Sequence, residues 1–146
     1  MENYVCNTDN PVVEKSFRFA IRIVNLYKYL CSEKQEYVLS KQLLRSGTSI
    51  GANVAEGQQP QSMGDFVSKL SIALKEATET KYWLRLLAAA DYLTPKEADS
   101  MLADCTELEK LLTSIIKTAR SKRQYPNMNN GKYGENIFHF SFSIVH

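Results

Sequence analysis

Histidine is nearly absent: in 146 residues only His139 and His146 occur, both close to the end of the chain. The long stretch before them therefore has no imidazole to bind a metal or take up a proton. A di-iron helical bundle needs Glu-x-x-His pairs on facing helices, so a ferritin-like reading fails at its ligands. Serines are plentiful, but no histidine before position 139 is there to activate one as a nucleophile. Neither a G-x-x-x-x-G-K-[ST] phosphate loop nor a G-x-G-x-x-G dinucleotide fingerprint is present. The expectation is no cofactor, no resident metal and no enzymatic activity.

Cysteine is scarce as well. Cys6, Cys31 and Cys105 are odd in number and widely spaced, which fits reduced thiols rather than a disulfide framework or a zinc site. Cys105 is expected to pack in a core. No run approaches the roughly 18 uninterrupted apolar residues of a membrane helix, and Met1 to Asn10 lacks the basic and apolar regions of a signal peptide. These absences predict a cytoplasmic protein with no membrane partner. A net charge of +2 names no partner, so only the placement of charge is informative. No repeat at solenoid period is present.

What the chain does carry is apolar residues at helical spacing. With 44% hydrophobic and 23% charged residues it is one soluble domain, long enough to bury a core unaided. Asn10-Pro11 opens a first helix near 12–31, with asparagine as cap and proline at the first position. Two adjacent apolar stripes follow: Val13, Phe17, Ala20, Val24, Tyr27, Cys31, and Ser16, Phe19, Ile23, Leu26, Leu30. Together they are wider than one buried face requires, so one is expected to face the bundle and the other a neighbouring subunit. A polar link from Ser32 leads to a second helix near 40–56, capped by Ser40 and stopped by Gly57. On it Leu43, Gly47, Ile50 and Val54 form an apolar row with small residues, while Arg45, Ser49, Ala52 and Glu56 form the next row and Asn53 borders both. Helical glycine costs about 1 kcal/mol against alanine, so Gly47 and Gly51 predict a closely approaching backbone.

Ser62 with Asp65 marks the start of a third helix near 63–90, with a core row of Phe66, Leu70, Ala73, Ala77, Thr80, Leu84 and Leu87. Ile72, Glu76, Glu79, Trp83 and Leu86 flank it. Thr94-Pro95-Lys96-Glu97 is the sharpest start signal, opening a fourth helix near 95–122 whose row is Ala98, Met101, Cys105, Leu108, Leu112, Ile115 and Ala119. Acids crowd its first half and bases its last turns, as the helix dipole favours. Beyond it, Gln124 to Glu135 is rich in Asn, Gly and Tyr. Phe138, Phe140, Phe142 and Ile144 then alternate with His139, Ser141 and Ser143 at strand period, with no sheet to join. The fold class expected is all-α: an antiparallel up-down-up-down four-helix bundle over 11–122, after an extension at 1–10 and before a mostly irregular tail at 123–146.

At Arg45-Ser46-x-x-Ser49-Ile50-x-x-Asn53-Val54-Ala55-Glu56-Gly57 the chain resembles the four-helix-bundle proteins related to those encoded in 23S rRNA intervening sequences. The similarity continues through Asp65-Phe66-x-x-Lys69, Ala73-Leu74-Lys75-Glu76, Glu79-Thr80-x-Tyr82-Trp83-Leu84 and Ile115-Ile116-Lys117-Thr118. That resemblance implies a homo-oligomeric ring, typically a pentamer, without enzymatic activity. A structurally similar relative, the accessory protein of diversity-generating retroelements, is basic, binds nucleic acid and partners a reverse transcriptase. Possible partners implied are therefore RNA or DNA, or a nucleic-acid enzyme.

Two groups of residues are candidate sites. Arg45, Ser49, Asn53, Glu56, Glu76 and Glu79 are expected to meet where the second and third helices pack, either as a structural polar network that fixes register or, less simply, as carboxylates of a hydrolase. Up-down-up-down topology puts the start of the first helix and the end of the fourth at one pole, which gathers Lys15, Arg18 and Arg22 with Lys117, Arg120, Lys122 and Arg123. That pole is either a phosphate-binding surface, multiplied by avidity in a ring, or a solvated basic end. The alternative to nucleic-acid contact is a protein-interaction module built on Tyr82 and Trp83 or on the aromatic tail.

Overall fold

The computed structural model describes residues 8–124, with side chains through Lys122, and four helices make up those described residues. α1 spans Pro11–Ser32, α2 Leu39–Gly57, α3 Met63–Ala89 and α4 Pro95–Gln124. No strand occurs among the described residues, and the class is all-α. The strand-like alternation at 138–144, the rest of the tail and the Arg123 side chain lie outside the described residues.

The helix starts follow local chemistry, with two corrections. Pro11 does stand at the beginning of α1, but the Asn10 side chain makes no cap bond. Its Nδ2 instead donates to Gln58 Oε1 at 3.2 Å, tying the start of α1 to the end of α2. Ser40 is not the cap of α2 either. Glu36 takes that role: its carboxylate accepts from the backbone N–H groups of Val38, Leu39 and Ser40 at 3.1, 2.9 and 2.6 Å. Ser40 lies one residue inside the helix and its hydroxyl returns a bond to the Glu36 carbonyl at 2.8 Å. A carboxylate four residues upstream reaches three orphan donors at once, which a serine hydroxyl cannot do.

Ser62 and Thr94 cap α3 and α4 as their sequence predicts, accepting from the N–H groups of Asp65 at 3.0 Å and Glu97 at 3.2 Å. Gly57 ends α2 as its last helical residue rather than as a left-handed cap beyond it. A Cβ there would meet Lys69 Cβ at 3.5 Å, so its smallness serves ordinary packing against α3.

The core rows are buried in register. On α3, Phe66, Leu70, Ala73, Ala77, Thr80, Leu84 and Leu87 are buried, and so are Ala98, Met101, Cys105, Leu108, Leu112, Ile115 and Ala119 on α4. Leu43, Gly47, Ile50 and Val54 of α2 face the same interior. Each fully buried leucine or isoleucine contributes about 1.5–3 kcal/mol. At Gly47 a side chain of α1 packs directly on the α2 backbone: a Cβ there would fall 2.6–2.8 Å from three Ile23 side-chain carbons. One turn on, a Cβ at Gly51 would lie 3.2 Å from the Ser16 carbonyl oxygen.

Cross-contacts show how the helices are arranged. Asn10 meets Gln58, Ser16 meets Gly51 and Ile23 meets Gly47, so numbers rise along α1 while they fall along α2. Arg45 with Glu79 and Glu56 with Lys69 pair α2 and α3 in the same opposed order. Cys105 donates to the Ala77 carbonyl at 3.2 Å between α3 and α4. Each helix packs on the next in chain order, and α1 closes the bundle against α4 through the thinnest seam.

Candidate interaction surfaces

On the α2–α3 face, Arg45 reaches across with both terminal nitrogens. Nη1 lies 3.4 Å from both Glu76 carboxylate oxygens, and Nη2 lies 2.5 Å from Glu79 Oε1. Glu79 Oε1 also accepts from Trp83 Nε1 at 3.2 Å. The Arg45 hydrogen bond holds the Glu79 carboxyl below its ordinary value, outweighing the burial that would raise it. Glu79 in turn raises the Arg45 guanidinium. Both groups therefore stay charged near neutral pH, which suits a structural clamp and not a general acid.

The expected six-residue network divides. Arg45, Glu76 and Glu79 come together, whereas Ser49 donates to the Arg45 carbonyl at 2.6 Å and Asn53 to the Ser49 carbonyl at 2.8 Å, both within their own helix. Glu56 pairs with Lys69 at 3.0 Å. Rise explains the separation: eleven residues of helix put Glu56 roughly 16 Å along the axis from Arg45.

The basic residues also divide. Lys15 pairs with Glu107, Arg18 with Glu14 and Arg22 with Asp104. Arg22 Nη2 also donates to Ser100 Oγ at 2.9 Å. These pairs place Lys15 level with Glu107, so α4 continues roughly 15 Å past it before reaching Lys117. The α1 bases line a small recess of about 190 Å³ with Phe19, Leu108 and the two α4 acids. Lys117 and Arg120 instead border an open groove of about 410 Å³ with Leu74, Thr113, Ile116 and Ser121. Among the described residues no carboxylate lies within ion-pair distance of either. Lys122 is half-buried, and burial pushes its ammonium pKa down.

The two stripes of α1 have different fates. Ser16, Phe19, Ile23 and Leu30 are buried in the bundle with Leu26 half-buried. Phe17 is 38% exposed and Ile21 43%, with Val13, Ala20, Val24, Tyr27 and Cys31 half-buried beside them. On α3, Tyr82 is 58% exposed and meets Trp83 edge to face at 5.0 Å between ring centroids.

Three polar features escape sequence reasoning. Ser46 and Thr80 form a hydroxyl pair with no exposed surface; the signal for Ser46 was its place beside Leu43, Gly47 and Ile50. Lys81 pairs with Glu109 at 2.9 Å, and Thr78 reaches the same carboxylate at 3.2 Å. Glu36 is the third. Cys105 packs in the core as expected, and burial pushes its thiol pKa up to about 12, which makes it a poor nucleophile. Among the described residues no group of three or more His, Cys, Asp or Glu is placed to hold a metal ion. None of the described helices is long and apolar enough to cross a membrane.

Comparison with known proteins follows the same lines. Residues 8–114 match the family described as 23S rRNA-intervening sequence protein. A crystal structure of a protein of unknown function from the S23 ribosomal protein family of Bacteroides thetaiotaomicron VPI-5482 is similar, with a TM-score of 0.72 and 59% identity. The match covers 73% of this chain and 98% of that one. No curated protein matches. With four packed helices and a match over most of its bundle, this chain belongs to the 23S rRNA-intervening sequence protein family.

Proposed function

We propose that the protein is a non-enzymatic, homo-oligomeric scaffold that contacts nucleic acid through the basic end of α4. The observation that carries the nucleic-acid part is a contrast between two sets of cations. Lys15, Arg18 and Arg22 are neutralised by Glu107, Glu14 and Asp104, while Lys117 and Arg120 are exposed with no described carboxylate beside them. Phosphates compete poorly for a cation that already has a carboxylate and well for one that does not. The contact surface is accordingly smaller than the seven residues the sequence suggests, and consists of Lys117 and Arg120.

Self-association is supported by Phe17 and Ile21. Their stripe is apolar, uncovered within the monomer and bordered by charges that are already paired in cis, so two copies meet there without like-charge repulsion. A ring of the kind the family resemblance implies needs a second, different face to receive that stripe, and Ile72 on α3, 39% exposed, is the apolar residue offered for it; a ring so closed repeats the α4 end and turns weak contacts into avid ones. The paired state of Arg45, Glu76 and Glu79 supports a structural role for that cluster rather than hydrolysis. A second reading, a protein-interaction module, is favoured by Tyr82, whose exposed ring stands beside Trp83. Titration with nucleic acid at rising salt separates them: the first reading predicts binding whose log affinity falls linearly with log salt, and the second predicts no binding even at low salt.

A further inference from the structure

The groove at the end of α4 has a floor that phosphate binding alone does not require. Leu74 of α3 and Ile116 of α4 line it with aliphatic carbon, and Thr113 and Ser121 border it with hydroxyls. Lys117 and Arg120, three residues apart, rise from one face of the helix at its rim. Its volume of about 410 Å³ falls within the range of small-molecule sites, roughly 300–1,000 Å³. The α1–α4 recess is different in kind, being less than half as large and rimmed by cations already paired with acids.

An apolar recess beside two cations discriminates between forms of nucleic acid. A duplex offers a regular line of phosphates with its base faces stacked inside, and it has nothing to put into the recess. An unstacked base offers a flat apolar face that aliphatic carbon and a guanidinium plane can cover, while its flanking phosphates stay outside. We propose that the groove takes a base of single-stranded nucleic acid, with neighbouring phosphates on Lys117 and Arg120. The inference rests on the nucleic-acid reading above and adds to it the strandedness of the ligand and the place of the base.

Fluorescence anisotropy with the full chain at low salt tests it, using three labelled probes of equal length. One is oligothymidine, one is a duplex, and one is an abasic strand that keeps every phosphate but has no base. Oligothymidine is expected to bind about tenfold tighter than either of the others. Replacing the exposed Lys117 and Arg120 together (Lys117→Gln, Arg120→Gln) is expected to remove most of that binding. Equal affinity for oligothymidine and the abasic strand, or tighter binding of the duplex, overturns the single-strand inference and leaves nucleic-acid contact standing. Failure of all three probes to bind overturns the underlying reading itself. A preference for oligothymidine that survives both substitutions places the base elsewhere and overturns the assignment to this groove.

Discussion

Thr80 Oγ1 lies 3.0 Å from Ser46 Oγ at the centre of the α2–α3 seam, and neither side chain has any exposed surface. Each hydroxyl also has a carbonyl of its own helix within reach, Glu76 at 2.7 Å for Thr80 and Leu43 at 3.4 Å for Ser46, so the two hydroxyl protons make two of the three contacts at a time. The pair is thus satisfied without water and fixes how the two helices face each other. Replacing Thr80 by valine keeps the shape and removes one partner, at an expected cost of about 1–2 kcal/mol. Ser46→Ala and Thr80→Val together should cost clearly less than the sum of the two single changes, because the second removes a group the first has orphaned. Urea midpoints of the three variants give the coupling, and strict additivity would show that the hydroxyls act independently.

Gly47→Ala tests the close approach of α1. Alanine gains about 1 kcal/mol in helix propensity, but its methyl group would sit 2.6–2.8 Å from Ile23, which is β-branched and stiff. Overpacking of that kind costs about 1–3 kcal/mol, so the net change is destabilising. Ile23→Ala removes all three contacting carbons, so the double variant should cost less than the sum of the two single changes. Thermal melting of the single and double variants decides, and a more stable Gly47→Ala protein would mean that α1 has room to move away.

Acid stability depends in part on Glu36. Burial works to raise its carboxyl pKa, yet the N–H groups of Leu39, Ser40 and Val38 outweigh it and hold the pKa below the ordinary value of 4.5. A group whose folded pKa is depressed contributes its full stabilisation above the unfolded value and loses it as pH falls through the folded one. Glu79 shifts in the same direction through Arg45. The urea midpoint should therefore fall below about pH 4.5, and Glu36→Gln should flatten that fall while costing about 1 kcal/mol at neutral pH through the weakened cap. Parallel pH profiles for the variant and the parent would exclude Glu36 as a titrating cap.

Self-association through α1 predicts a simple mass change. Phe17→Asp with Ile21→Asp puts two carboxylates on the exposed stripe and leaves the buried stripe of Phe19 and Ile23 intact. Light scattering at micromolar concentration should show an oligomer for the parent and a monomer for the variant, with unchanged helical circular dichroism. An oligomer of the same mass in the variant places the contact on another face.

The fold is largely legible in the sequence because burial follows period. Every apolar row assigned to α2, α3 and α4 is buried, and the small residues at Gly47 and Gly51 do mark a close approach. Long-range polar pairing is much less legible. Whether Arg45 reaches Glu79 while Glu56 turns to Lys69 depends on the register between two helices, which the period of either alone does not supply. The same holds for Lys15 and Arg22: they are basic in the sequence, but the level at which α1 meets α4 decides that Glu107 and Asp104 neutralise them. Glu36 escaped notice because it stands in a polar link and acts on the backbone rather than on a side chain.

Recovery of the assembled protein from its host, divided into nuclease-treated and untreated halves, tests nucleic-acid contact most directly. The parent should carry nucleic acid in the untreated half, release it as salt is raised, and lose it when Lys117 and Arg120 are both replaced by glutamine. Absence of nucleic acid from both halves, with the same protein partner recovered in each, would contradict nucleic-acid contact and favour the interaction module.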